Sequence, residues 1–218
     1  MNASAVLLSG GLDSAVLAAM ELRAGFDVWP IHVRAGLAWE DAEARAIARL
    51  LAIPPLDGLR ALTTITVDMR DIYPASHWAV TGRAPGYDQP DEDVYLEGRN
   101  ITLIAKAAVL CARQRIGRLA LGPLAGNPFP DATPAFFEAM ARAMTLGLNH
   151  QLEIAAPLSR LHKADVIRIG RQLGVPLERS LSCMQPGADA HCGNCNKCRE
   201  RQEAFEEAGV KDETAYAG

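Results

Sequence analysis

No stretch of the 218 residues carries G-x-x-x-x-G-K-[ST], and none carries G-x-G-x-x-G. The first absence excludes a Walker-type phosphate loop, and the second excludes the glycine fingerprint of dinucleotide-binding folds. No apolar run approaches the roughly 20 residues that a membrane span needs. The best, Ile101 to Leu110, contains Lys106. The amino terminus lacks a basic start, and its apolar stretch is broken from Ser9 to Ser14, so no secretory signal is expected. Positive charge is not in excess. The formal net charge is −4 with a pI near 5.7, which argues against a broad nucleic-acid-binding face. Internal repeats and low-complexity tracts are also missing.

The composition that remains, 49% apolar and 22% charged, is that of a soluble globular chain able to bury a core. Its length suits one large domain, or one domain with a small appendage. Five cysteines without an export signal point to a reducing cytoplasm and to metal or redox chemistry, not disulfides.

The chain is organised around Ser9-Gly10-Gly11-Leu12-Asp13-Ser14. An apolar run, Ala5 to Leu8, precedes this turn, and helix formers from Ala15 to Leu22 follow it. Strand, tight glycine turn and helix is the order expected of a phosphate cradle. Adjacent glycines let the backbone approach a ligand, and the free N–H groups of a helix start favour an anion.

Further strands are expected at Asp27–Val33 (weakened by Pro30), Thr63–Val67, Arg118–Gly122 and Leu152–Ala155. Helices are expected at Trp39–Ala52, Ile101–Arg115, Phe136–Leu146 and His162–Leu173. Thr133 reads as an N-cap with Pro134 at the first helical position. Residues Asp71 to Glu97, rich in proline and glycine, read as a flap beside the site with a short helix at Ala75–Thr81. The alternation predicts an α/β layer fold: a five-stranded, mainly parallel sheet with helices on both faces. The site then falls at the carboxyl end of the first strand.

The last part of the chain changes character. Cys183, Cys192, Cys195 and Cys198 are spaced C-x8-C-x2-C-x2-C. Four thiolates with two tight turns suit a closed tetrahedral zinc site. An iron–sulfur cluster and a redox dithiol are the alternatives at this spacing. Gly193 permits the turn between the second and third ligands, and His191 reads as a bystander to the four cysteines. Cys111 reads as a core residue; His32, His77 and His150 read as structural.

Ser9–Ser14, the Leu96-Glu97-Gly98-Arg99-Asn100 segment, Pro157-Leu158-x-x-Leu161-x-Lys163 and the four cysteines stand in one order. In that order the chain resembles the 7-cyano-7-deazaguanine synthases, the QueC/ExsB-like branch of the N-type ATP pyrophosphatases. The resemblance implies an adenine nucleotide alpha hydrolase-like (Rossmann-like) domain at residues 1–175. It implies a zinc-binding helical segment at residues 176–218 packed on that domain. It also implies a cytoplasmic homodimer that takes ATP, Mg²⁺, ammonia and a deazapurine carboxylate, with no nucleic acid and no membrane. The implied activity is that of an ATP-dependent carbon–nitrogen ligase. It converts 7-carboxy-7-deazaguanine and ammonia to 7-cyano-7-deazaguanine (preQ0), for queuosine-type biosynthesis, through an acyl-adenylate and an amide.

On this reading Asp13, Ser14, Arg99 and Lys163 are the catalytic candidates. Leu8, Ser9, Gly10, Gly11, Leu12, Asp13, Ser14, Val33, Asn100 and Gly122 are the nucleotide-contact candidates. Asp13 either orders the loop or helps to bind Mg²⁺. Arg99 offers a fork for phosphate or carboxylate, and Lys163 is a phosphate candidate. Three stretches differ from the family pattern: His32–Gly36, the Leu96-Glu97 pair and Gly126–Thr133. A relative that adenylates a different carboxylate or amide is therefore the alternative expectation.

Overall fold

The computed structural model describes residues 2–187 and 190–217. Its first half runs β1 (Ala3–Leu7), α1 (Leu12–Arg23), β2 (Asp27–Arg34), α2 (Glu40–Leu51), β3 (Thr63–Thr66) and α3 (Trp78–Thr81). The second half runs α4 (Arg99–Gln114), β4 (Arg118–Ala120), α5 (Pro134–Leu148), β5 (Glu153–Ala155), α6 (Lys163–Gln172) and α7 (Asn196–Ala208). All pairings are parallel, in the order β3-β2-β1-β4-β5. The chain therefore winds outward from β1 in one direction and later in the other. The crevice at that reversal lies beyond the carboxyl ends of β1 and β4, and the glycine turn leaves β1 there.

Alternation along the strands splits the interior into two layers. Val6 faces one core with α1, α6 and the α7 residues Ala204 and Phe205. Ala5, Ile31 and Leu119 face the other, with Ile104, Ala107, Ala108 and Cys111 of α4 and Phe137 of α5. The expected helices on both faces are present. Cys111 is fully buried, and burial pushes its thiol up to about 12, in keeping with its reading as an inert core residue. Thr133 caps α5 by accepting the Phe136 N–H at 3.2 Å.

Pro30 sits inside β2, opposite Val6. The Ile31 carbonyl bonds Leu8 N on the β1 side, so the neighbouring Pro30 faces β3. The β3 register begins only at Ile31–Thr63, and the missing proline donor therefore falls before that ladder starts. Proline is tolerated in this inner strand for that reason.

The amino ends of the strands are locked by a polar cluster. Glu21, buried, accepts from Ser4 Oγ at 2.7 Å and from two Arg118 nitrogens at 2.9 Å. Arg118 also reaches Glu153 at 2.7 Å. This joins α1, β1, β4 and β5 at the end of the sheet away from the crevice.

Residues 71–97 are more ordered than a solvated connector. Their helix is a single turn, α3, shorter than the expected Ala75–Thr81. Tyr73, Ala79 and Leu96 are buried with Leu37 and Trp39, and Trp39 stacks on Trp78 with ring centroids 5.5 Å apart. Tyr73 Oη donates to the Glu97 carbonyl at 2.9 Å. Among the described residues no helix is long and apolar enough to cross a membrane.

Candidate active site

The glycine turn brings its two glycines to different tasks. Gly10 has φ +77°, and a Cβ there would sit 2.9 Å from the Glu43 carbonyl on α2. Its own carbonyl accepts Leu181 N at 2.8 Å, so Gly10 is held between α2 and the carboxy-terminal segment. Gly11 faces the crevice. Ser14 Oγ donates to the Gly11 carbonyl at 3.0 Å and accepts from Ser9 N at 3.2 Å. The two serine hydroxyls lie 3.2 Å apart. The loop is preorganised by its own side chains, with the first turn of α1 opening into the crevice.

Two cavities meet at this loop. One, of about 270 Å³, is lined by Ser9, Gly11, Asp13, Ser14, Arg99, Asn100 and Gly122, with Val94, Tyr95 and Leu96 from the expected flap. The other, of about 540 Å³, shares Gly11, Asp13, Arg99, Gly122, Pro123, Asn127 and Phe129 and adds Leu12, Lys163, the rest of loop 123–129 and the Glu200 face of α7. A small pocket of about 50 Å³ lies behind the loop, lined by Leu8, Ser9, His32, Val33, Glu43 and Arg99. The crevice thus gathers most of the residues singled out from the sequence; Gly10 lines none of these three spaces.

Arg99 opens α4 and reaches all three spaces. Its Nε is buried without a partner, so it is not the surface ion pair that such a residue usually makes. Asn100 is committed to structure: its Nδ2 donates to the Asp131 carbonyl at 2.9 Å and its N–H to Asp131 Oδ2 at 3.0 Å. It pins the loop of residues 123–133 to α4. Lys163, the first residue of α6, reaches Asp13 Oδ2 at 2.9 Å and Glu200 Oε1 at 3.0 Å. Burial pushes the Lys163 ammonium down, but the two carboxylates outweigh it and hold it well above the usual lysine range. Asp13 keeps Oδ1 buried and unpartnered.

Glu43 and Glu200 carry no motif signal in the sequence, and Asp131 lies in the Gly126–Thr133 stretch that differs from the family pattern, yet all three shape the site. Glu43 is buried on α2 and accepts Trp39 Nε1 at 3.2 Å. Burial, against the pull of Arg99, raises its carboxyl to about 7. Of the histidines, His32 contacts the Leu8 carbonyl through Nδ1 at 3.2 Å, and burial lowers its pKa. His77 caps α3, and His150 contacts the Ile116 carbonyl at 2.8 Å. Periodicity reveals burial but not which acids converge, so only an i,i+4 Trp39–Glu43 spacing hinted at one of these contacts.

The four cysteine sulfurs lie within 4.8 Å of one another. Gly193, with φ +79°, makes the turn between the second and third. Cys183 Sγ accepts N–H groups from Gln185 at 3.3 Å and Cys192 at 3.2 Å, the kind of bond that stabilises a metal-bound thiolate. Four soft donors at this separation can hold zinc. His191 stays outside the set: its Nε2 accepts Ser182 N at 2.9 Å. Buried Arg201 ties the segment down, donating to the Leu177 carbonyl at 2.8 Å and to Ser180 and Thr214 hydroxyls at 3.0 Å.

A solved 4-thiouridine synthetase, in an RNA complex with bound ATP, has a similar fold: TM-score 0.51, 17% identity, covering 95% of this chain and 50% of that one. Sequence likeness is closer. The 7-cyano-7-deazaguanine synthase of Methanoculleus marisnigri is 32% identical, covering 99% of both chains. That of Anaeromyxobacter dehalogenans is 35% identical, over 97% of this chain and 94% of its own. That of Methanopyrus kandleri is 34% identical, over 99% of both. The family model described as queuosine biosynthesis protein QueC matches residues 3–209. With the glycine turn at the sheet's reversal point and four clustered cysteines beside it, this chain belongs to the QueC family.

Proposed function

We propose that the protein is an ATP-dependent 7-cyano-7-deazaguanine synthase. The observation that carries this reading is the full-length likeness to enzymes of that name, joined to a crevice in which Ser9, Gly11, Asp13, Ser14 and Arg99 meet.

A carboxylate is a poor electrophile. Attack of its oxygen on the ATP α-phosphorus expels pyrophosphate and leaves an acyl-adenylate, whose AMP is a good leaving group. Ammonia then attacks the carbonyl carbon, AMP departs, and a proton lost from nitrogen leaves the amide. A second activation, on the amide oxygen, lets AMP leave with that oxygen as two protons are lost, giving the nitrile. The chain's part is positioning and charge neutralisation. The serine hydroxyls and the opening turn of α1 face the departing pyrophosphate, while Gly11 N–H, donating to Ser9 Oγ at 3.3 Å, holds the loop's shape. Arg99 and Lys163 offset the negative charge that builds on the phosphates. Leu8, Val33, Asn100 and Gly122 frame the nucleotide, while Gly10 and Leu12 set the loop's path. The unpartnered Asp13 Oδ1 fits a Mg²⁺ ligand, and that ion would screen phosphate charge. The acceptor falls in the larger cavity, between Arg99 and α7.

We read residues 1–175 as the catalytic α/β domain and 176–218 as a zinc-holding segment packed on it. The protein acts as a cytoplasmic homodimer, drawing on free ammonia and touching neither membrane nor nucleic acid. Leu146, 74% exposed on α5, is one apolar side chain that such a dimer can cover. The nucleotide products test the chemistry. Acceptor-dependent formation of AMP and pyrophosphate is expected, and Asp13→Asn should slow it by at least about 100-fold. ADP and phosphate as products, or an unaffected Asp13→Asn, would contradict the reading.

A further inference from the structure

Glu200 belongs to none of the motifs that the sequence displays, yet it joins two parts of the molecule. Its Oε1 takes Lys163 Nζ at 3.0 Å and its Oε2 takes Lys197 Nζ at 2.7 Å. Lys163 Nζ also holds Asp13 Oδ2 at 2.9 Å. The lysine is thus gripped by a carboxylate from the glycine loop's helix α1 and by another from α7. Helix α7 is itself anchored in the cysteine cluster: Cys195 is its N-cap, Cys198 lies in its first turn, and Glu200 follows two residues later.

The geometry has a physical consequence. A lysine is a compact charge on a flexible four-carbon stem. Held by Asp13 alone, its ammonium would follow that carboxylate wherever a cation or phosphate drew it. A second carboxylate on another helix fixes the ammonium independently. Lys197 holds the other oxygen of Glu200, so that carboxylate is itself fixed in place. Asp13 meanwhile retains a buried, unpartnered Oδ1.

We propose that Glu200 is a positioning residue: from the cysteine-anchored helix it holds Lys163 at the mouth of the glycine loop, leaving Asp13 Oδ1 free for a phosphate-bound cation. The functional half of this inference rests on the ATP chemistry proposed above; the positional half does not, and the two are tested separately.

Position is read by competitive acetylation of the full-length protein with acetic anhydride, followed by peptide mass spectrometry. Lys211, 84% exposed, is the internal reference. In Glu200→Gln, Lys163 should label about tenfold or more faster relative to Lys211, because its ammonium has lost one of two carboxylate partners. Metal content should remain at the wild-type level. Glu200→Asp, which keeps the charge, should recover much of the protection. Function is read in ATP turnover: Glu200→Gln should lower kcat about 10-fold or more with KM for ATP within about threefold. Adding it to Lys163→Met should cost nothing further, since coupled residues are non-additive. Unchanged Lys163 labelling in Glu200→Gln overturns the proposal. So do equal labelling in the Gln and Asp variants, additive kinetic losses, or loss of metal with the charge. Absence of ATP turnover in the wild type would refute the proposed activity, while the labelling result still decides the role of Glu200.

Discussion

Single residues at this site are defined by what they lack. Asp13 Oδ1, His32 Nε2 and Arg99 Nε are buried without hydrogen-bond partners, and buried polar atoms are rarely left so. They line the spaces around the glycine turn, where the proposed nucleotide and its cation would supply the missing partners. Glu43 shows the reverse: a carboxylate buried so deeply that it titrates near 7, beside Arg99 and Glu40. Unfolded, it ionises near its ordinary 4.5. Between those values the folded protein holds a proton that the unfolded chain has released, so this residue's contribution to stability falls as pH rises from about 4.5 to about 7. Glu43→Gln stays neutral and keeps an acceptor for Trp39 Nε1. It should match the wild type near pH 4.5 and exceed it at pH 8 by up to about 3 kcal/mol, the free-energy equivalent of that rise in pKa. Urea unfolding at the two pH values measures this; a difference independent of pH would contradict it. The glycine turn, Arg99, Lys163 and the cysteines were legible because motif spacing marks them. The contacts of Glu43, Asp131 and Glu200 were not, because their partners lie 31 to 56 residues away along the chain: Asn100 for Asp131, Lys163 for Glu200 and Arg99 for Glu43.

Elements were legible wherever periodicity and punctuation agreed. The helices at 99–114, 134–148 and 163–172 carry glycine, proline or threonine at their ends, and they appear within a few residues of expectation. Strand edges drifted more. β1 begins at Ala3, because Ser4 is buried through a bond to Glu21 that no apolar pattern signals. Helix packing adds another constraint that composition hides. A Cβ on Gly170 of α6 would lie 2.7 Å from Val16 Cγ2 of α1 and 2.8 Å from Leu177 Cδ2. Gly170→Ala should therefore force α6 away from α1 and destabilise the fold by about 1–3 kcal/mol, despite alanine's better helix propensity. Thermal or urea unfolding tests this, and a neutral or stabilising effect would show that the contact relaxes freely. The stretch 71–97, read as a flap, gained its order from aromatic packing against Trp39, a long-range contact invisible to local rules.

At the scale of the whole molecule, the carboxy-terminal segment is part of the site and not an appendage beside it. Leu181 bonds the glycine turn through the backbone, Glu200 reaches Lys163, and Ala204 and Phe205 enter the main core. Metal binding at four cysteines couples directly to folding. Stripping the metal with a chelator should expose the region of residues 183–216 to protease and diminish ATP turnover together. Loss of metal with unchanged protection and turnover would detach the cluster from the site. The central claim is the identity of the reaction, and the product made from 7-carboxy-7-deazaguanine with ATP, Mg²⁺ and ammonium tests it most directly. Mass spectrometry should show 7-cyano-7-deazaguanine accumulating with AMP and pyrophosphate. No conversion of that acid by folded, metal-loaded protein, or conversion that ends at the amide, would contradict the claim and assign the crevice another acceptor.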